Sequence, residues 1–184
     1  MTKKMDKVIT AALIAIIIIA IGVIAYYNLP EKKEGEILLH VYYEGNHWNY
    51  TLNDLKKIDE YAGRGGYINR IGKITGPNNY TGVRMEILLE NIGVSDITSV
   101  NVTITASDGY NKTFSYDEIV GNIDIYDTYG NATEGNVTMI LAYAENGKYD
   151  FEDGPLRIAY IDDGLITPSS LWIREVVSIK ILPL

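Results

Sequence analysis

The chain has 184 residues, 47% of them hydrophobic, and a formal net charge of −8. That length is enough for one domain with a real core beyond the first 30 or so residues, and the acidic balance argues against nucleic-acid binding. The sequence contains no cysteine, which excludes disulfides, thiolate metal sites, a thiol nucleophile and a lipidated N-terminal cysteine.

The N-terminal stretch Val8–Tyr27 predicts a transmembrane helix. It carries no charge, and as a helix it would reach about 30 Å, the thickness of a bilayer core. Lys3, Lys4 and Lys7 precede it, which predicts a cytoplasmic N-terminus. The alternative is a cleaved signal peptide, but the apolar run is longer than a usual signal core and lacks a clear A-x-A cleavage pattern.

These boundaries predict four parts of the chain. Residues 1–7 form a basic cytoplasmic tip, residues 8–27 the membrane helix, residues 28–35 a linker, and residues 36–184 an extracytoplasmic domain. Residues 1–7 carry a formal charge of +2. Because the whole chain carries −8, the rest of the chain carries −10, which favours a soluble acidic domain. Six N-glycosylation sequons follow the span and predict an exported glycoprotein: Asn49, Asn79, Asn101, Asn111, Asn131 and Asn136.

The first elements of the domain have local signals. The apolar run Ile37–Tyr43 predicts a strand, and Glu44–His47 a turn. Thr51 and Asp54 resemble a capping box that opens a helix, which ends at the glycines of residues 63–66. Residues 67–74 then read as a strand and residues 76–79 as a turn.

The middle of the chain predicts a helix over Val83–Ile92, closed by Gly93. Residues 99–107 alternate as a strand that pairs with Tyr110–Phe114 through an Asp-Gly turn. Ser115 and Glu118 form a capping box for one helical turn.

The C-terminal part begins with a polar loop over residues 127–136. Strands are predicted at Val137–Ala144, Leu156–Ile161 and Val176–Leu182. An irregular stretch with Pro168 and Trp172 precedes the last strand.

No nucleotide-binding, zinc-protease or serine-nucleophile motif occurs in the sequence. The two histidines, His40 and His47, are too few for a histidine metal site, and His40 reads as a packed or edge residue. Two acidic clusters have glycine turns that would suit Ca²⁺, but neither has EF-hand spacing, so solvated loops are favoured. Their members are Asp150, Glu152, Asp153, Asp162 and Asp163.

An ordered set of short motifs resembles the oxidoreductase molybdopterin-binding domain of the sulfite oxidase type. It begins with Thr51-Leu52-Asn53-Asp54-Leu55, Tyr80-Thr81-Gly82-Val83, Leu88-Leu89 and Gly93-Val94. It continues with Thr105-Ala106-Ser107-Asp108-Gly109-Tyr110 and Phe114, then Leu141-Ala142-Tyr143-Ala144-Glu145-Asn146-Gly147. It ends with Gly154-Pro155-Leu156-Arg157 and Trp172-Ile173-Arg174-Glu175-Val176-Val177-Ser178-Ile179.

The resemblance implies an α+β fold with one mixed β-sheet core and short helices. It also implies oxygen-atom or electron transfer at molybdenum, held by a pterin dithiolene and one protein cysteine. The family's cysteine precedes the Tyr-Thr-Gly-Val element, and here it is missing. The chain is also shorter than the full enzyme domain, so no cofactor residue is carried over.

Three hypotheses follow. The first is a membrane-anchored, extracytoplasmic binding or accessory module without catalysis, with a ligand cleft near Arg64, Asn78 and Tyr80, where glycines let a ligand approach the backbone. The second is a molybdopterin-dependent oxidoreductase with a metal ligand other than cysteine. The third is a glycosylated interaction protein whose partner is another envelope protein.

Overall fold

The structure is a computed structural model that describes residues 35–184. The predicted membrane helix Val8–Tyr27 lies outside the described residues, as does nearly all of the predicted linker. Within residues 35–184, no helix has the length and apolar character needed to cross a bilayer.

The described part of the chain contains ten strands, three α-helices and two short 3-10 helices, Ile97–Ser99 and Ser169–Leu171. The strands are β1 (Ile37–Tyr43), β2 (Asn46–Thr51), β3 (Tyr61–Ile68), β4 (Ile74–Arg84), β5 (Val100–Ala106), β6 (Asn111–Phe114), β7 (Thr138–Glu145), β8 (Arg157–Ile161), β9 (Asp163–Pro168) and β10 (Val176–Pro183). The helices are α1 (Leu52–Ile58), α2 (Met85–Asn91) and α3 (Tyr116–Ile119).

The strands form two five-stranded sheets. The first has the order β2-β1-β10-β5-β6 and the second β8-β7-β4-β3-β9. Each sheet contains one parallel pair, β1 with β10 and β3 with β9, while the other pairs are antiparallel. The predicted mixed β-sheet architecture is therefore confirmed, but the structure has two mixed sheets where one was predicted.

A single hydrophobic cluster fills the domain. In β1, Leu39 and Val41 are fully buried, whereas His40 and Tyr42 alternate with them toward solvent. The strands β7 and β8 are buried nearly throughout, so they lack the polar alternation of an exposed sheet face. Burial on both sides explains why these strands read as continuous apolar runs.

Several predicted elements are confirmed. The capping box of Thr51 and Asp54 opens α1, and that of Ser115 and Glu118 opens α3. The alternating strand after Ser99 pairs with β6 through the Asp-Gly turn. Each of these rests on contacts between residues close in sequence, which is why local patterns were sufficient.

The predictions for residues 63–79 were wrong. The glycines at 63–66 lie inside β3 instead of ending a helix, and residues 76–79 lie inside β4 instead of forming a turn. The real turn lies at residues 69–73 and interrupts the strand predicted at residues 67–74; there the Asn69 side chain accepts hydrogen bonds from the amides of Ile71 and Lys73. Position 65 of this strand requires glycine, because a Cβ there would collide with the carbonyl oxygen of Tyr160.

Two strands were missed, and one helix was predicted too long. β2 begins at Asn46, inside the predicted turn Glu44–His47, and β9 lies in the stretch predicted to be irregular. Val83 and Arg84 end β4, so α2 begins only at Met85. Both missed strands lie at sheet edges, where pairing on one side is enough to hold a polar segment.

Candidate functional site

The site centres on Arg157, the first residue of the edge strand β8. Its side chain is only 4% exposed. Arginine is rarely buried unless its charge is paired. Arg157 therefore needs partners, and the residues around it supply them.

Two carboxylates neutralise the guanidinium. Nη1 of Arg157 donates to Oδ2 of Asp153 over 2.9 Å and lies 3.7 Å from Oε2 of Glu145. Asp153 precedes β8 and Glu145 ends β7, so chain order brings both to the same corner of the sheet. The exposed Arg174 lies 3.9 Å from the other Asp153 oxygen. Within residues 35–184, nothing accepts a hydrogen bond from the buried Nε of Arg157.

Three aromatic rings surround the same guanidinium. Its central carbon lies 5.1 Å from the ring of Trp172, 5.5 Å from that of Tyr80 and 5.8 Å from that of Tyr67. Trp172 is held in place because its indole nitrogen donates to the buried hydroxyl of Thr167 over 2.7 Å. Arg157 thus fills an aromatic cage, and cation–π attraction adds to its ion pairs.

Glu145 joins this cluster to β4. Its Oε1 accepts hydrogen bonds from the Asn78 amide at 2.6 Å and from the Tyr80 hydroxyl at 3.2 Å. Burial raises the pKa of Tyr80 to about 12; Arg157 opposes this rise and Glu145 adds to it. Tyr80 is therefore a neutral hydrogen-bond donor at physiological pH, which does not favour a role as a base.

Two adjoining cavities open on this cluster, with volumes of about 410 and 550 Å³, and both are lined by Tyr67, Asp153 and Arg157. Their walls carry five carboxylates and three cationic side chains, a formal charge of −2. The carboxylates are Asp108, Glu145, Asp150, Glu152 and Asp153, and the cations are Lys148, Arg157 and Arg174. The cleft is therefore acidic even though an arginine lies at its centre.

The structure brings two of the three predicted cleft residues together. Asn78 and Tyr80 line the larger cavity. Arg64 is exposed and pairs with Asn79. Because neighbouring residues of a strand face opposite sides, Arg64 lies on the other face of the sheet from Asn78 and Tyr80.

The central residues of the cleft were missed as site residues. Arg157, Glu145 and Trp172 stand in the motifs that carry the family resemblance, but the predicted cleft of Arg64, Asn78 and Tyr80 does not include them. One signal was available in the sequence: Arg157 comes directly before the apolar residues of β8. A buried charge in a strand requires an oppositely charged partner nearby, so this position could have indicated a cluster of charged residues.

The acidic clusters do not form a metal site within residues 35–184, where no three His, Asp or Glu side chains come together to hold an ion. Asp153 instead pairs with arginines. The Asp162 backbone exchanges two hydrogen bonds with that of Arg64.

The six sequon asparagines are accessible to different degrees. Asn101 is half-buried and the other five are exposed. Asn49, Asn101 and Asn111 pair with the outward residues His40, Leu182 and Thr105, so these three share the solvent face of the first sheet.

Comparison with known proteins gives a likeness of fold. No protein-family model and no curated protein matches the sequence. Solved structures that resemble it include the sulfane dehydrogenase SoxCD from Paracoccus pantotrophus, with a TM-score of 0.55 and 16% identity. The match covers 84% of this chain but only 39% of that chain. The fold is thus distantly similar to the sulfite-oxidase-type molybdopterin-binding domain, as the motifs predicted.

The cleft residues do not fit the molybdenum cofactor that this fold implies. The whole chain has no cysteine to supply a thiolate ligand. Among the described residues that line the cleft, Arg157 is the one buried cation; its Nε has no acceptor, but Asp153 and Glu145 already balance its charge. The side chains that line the cleft carry a formal charge of −2. Burying the doubly negative phosphate group of the cofactor there would therefore be unfavourable.

Proposed function

We propose that this chain is a non-catalytic binding module, anchored in a membrane by Val8–Tyr27, with its domain outside the cytoplasm. The observation that carries the proposal is the internal neutralisation of Arg157 by Asp153 and Glu145. Because two carboxylates and three aromatic rings already contact Arg157, we assign it a structural role in the domain and not a role in ligand binding. This leaves the exposed carboxylates of the cleft to meet a ligand.

The chemistry of the cleft favours a cationic ligand. Asp150 and Glu152 are exposed on the wall of the larger cavity, and besides Arg157 the described lining of that wall has one cationic side chain, Lys148. A ligand ammonium group would replace water between these carboxylates, while an anion would be repelled. The ligand class is therefore a polyamine-like molecule or a lysine- or arginine-bearing segment of an envelope protein.

Binding of spermidine and of inorganic phosphate by the purified full chain tests this proposal. We expect spermidine to bind saturably and to raise the melting temperature, and phosphate to do neither. Glu152→Gln should weaken spermidine binding, whereas Glu90→Gln, an exposed carboxylate on α2, should not. Arg64→Ala serves as a second control because Arg64 does not line the cleft. Tight phosphate binding without spermidine binding would overturn the proposal.

The location is tested separately. The full chain should remain in the membrane fraction after alkaline extraction, and protease added outside the cell should remove the domain. Replacing Ile17 and Ile18 by lysine should release the chain, because a charge near the bilayer centre costs about 3 kcal/mol for each residue. Protection of the domain from external protease would contradict the proposed orientation.

A second candidate function is a molybdopterin-dependent oxidoreductase with a ligand other than cysteine. The likeness of fold to sulfane dehydrogenase supports it. Measurement of bound molybdenum distinguishes it from the binding module.

A further inference from the structure

A second cluster of chemically active side chains lies on the hairpin of β1 and β2, away from the cleft. It contains His40 and His47, the only two histidines of the chain. Nδ1 of His40 lies 3.3 Å from Nε2 of His47 and 2.7 Å from Oδ1 of Asn49. Two histidines are too few for a metal site by themselves, but the hairpin adds an amide oxygen, so that a second imidazole nitrogen and this oxygen both lie beside Nδ1 of His40.

Strand pairing produces this arrangement. His40 lies opposite Asn49 and Tyr42 lies opposite His47, so all four side chains share the outward face of the hairpin. The rings of Tyr42 and His47 stack with centroids 4.5 Å apart and planes within 1° of parallel. This stacking fixes the orientation of His47, in the way that neighbours of a metal ligand fix its ring.

We infer that His40, His47 and Asn49 form a surface site for a divalent late transition metal such as Zn²⁺. Zinc takes imidazole nitrogens at about 2.0–2.1 Å in a tetrahedron, which places two such nitrogens about 3.3–3.4 Å apart. The separation between the two histidine nitrogens is 3.3 Å. The pair is therefore already spaced for one metal between them.

A hydrogen bond between Nδ1 of His40 and Nε2 of His47 would also hold these two nitrogens 3.3 Å apart. When the metal binds, it replaces the proton of that hydrogen bond. His40 then adopts the tautomer with hydrogen on Nε2, which frees the Nδ1 lone pair. Asn49 supplies its carbonyl oxygen after a small side-chain rotation, and water completes the tetrahedron. With two strong protein ligands and an exposed position, the site is an open one that binds zinc more weakly than a closed four-ligand site.

Zinc titration of the full chain against a competing chromophoric chelator tests the inference. We expect one saturable micromolar site per chain. His40→Gln and His47→Gln should each weaken it ~10-fold or more. Asn111→Gln, on the same face of the sheet at its far edge, should leave it unchanged. Glu152→Gln should also leave it unchanged, which separates this site from cation binding in the cleft.

A gain of affinity distinguishes a metal site from a structural hydrogen bond. Asn49→Asp replaces a neutral oxygen ligand by a carboxylate, so zinc affinity should rise. Circular dichroism and thermal melting verify that each variant folds. The inference is overturned if the double variant His40→Gln/His47→Gln binds zinc as well as the native chain does. It is overturned equally if the native chain has no saturable site at micromolar zinc.

Discussion

Nη1 of Arg157 lies 2.9 Å from Oδ2 of Asp153, and this ion pair closes the corner where β7 and β8 meet the aromatic side chains of the cleft. The arginine is 4% exposed and the aspartate 25%. Removing one partner of such a buried pair leaves an uncompensated charge. The relationship makes Arg157 a structural centre of the cleft.

Replacing this arginine should therefore destabilise the domain. Arg157→Met keeps an unbranched apolar stem but removes the guanidinium and leaves Asp153 and Glu145 without their cation, and we expect a loss of about 3 kcal/mol in the free energy of unfolding. Urea denaturation of the full chain measures it. Arg174→Met is the matched control, since Arg174 is 67% exposed and lies 3.9 Å from Asp153. Equal losses for the two variants would contradict the assigned role of Arg157.

The glycines of β3 give a second prediction. A Cβ at Gly65 would collide with the carbonyl oxygen of Tyr160, whereas at Gly63 it would meet its nearest atom at 3.3 Å. We expect Gly65→Ala to lower the free energy of unfolding by about 3 kcal/mol and Gly63→Ala by much less. Thermal melting of both variants measures the difference. A tolerated Gly65→Ala would contradict the close packing of β3 against β8.

The pH dependence of stability gives a third prediction. Partial burial alone would raise the pKa of Glu118. Lys112, whose Nζ lies 2.9 Å away, and the hydrogen bonds from Ser115 outweigh burial and lower that pKa. Because the folded-state pKa is depressed, the stabilisation is present above the unfolded value of about 4.3 and is lost as the pH falls through the folded value.

Glu118→Gln should therefore cost about 1 kcal/mol at pH 7. The difference from the native chain should shrink toward zero as the pH falls below about 4. Urea denaturation at several pH values measures this convergence. Glu90→Gln, at an exposed position on α2, controls for the general loss of a carboxylate. A difference that stays constant with pH would show that the charge of Glu118 contributes nothing.

The sequence predicted those elements whose causes are local. Capping boxes at Thr51 and Ser115 and the Asp-Gly hairpin depend on residues a few positions apart, and all are confirmed. The glycines of β3 were misread because their reason for being glycine is the distant Tyr160 backbone. No local pattern contains that contact.

The candidate cleft was predictable only in part, for the same reason. Asn78 and Tyr80 were named, but Glu145 and Arg157 come near them only after β4, β7 and β8 pair. The apolar alternation that defines a strand does not tell which buried position holds a charge. A buried charge is recognised once its compensating partners are seen, and these are distant in sequence.

Molybdenum and pterin analysis of the purified full chain tests the central claim most directly. The chain is expressed in a host that makes the cofactor, and a molybdenum enzyme from the same cells serves as positive control. We expect neither molybdenum nor pterin to copurify with the chain, because Arg157 is neutralised within the fold and no thiolate is available. Molybdenum and pterin in equal amounts, each near one per chain, would contradict the account and favour the oxidoreductase.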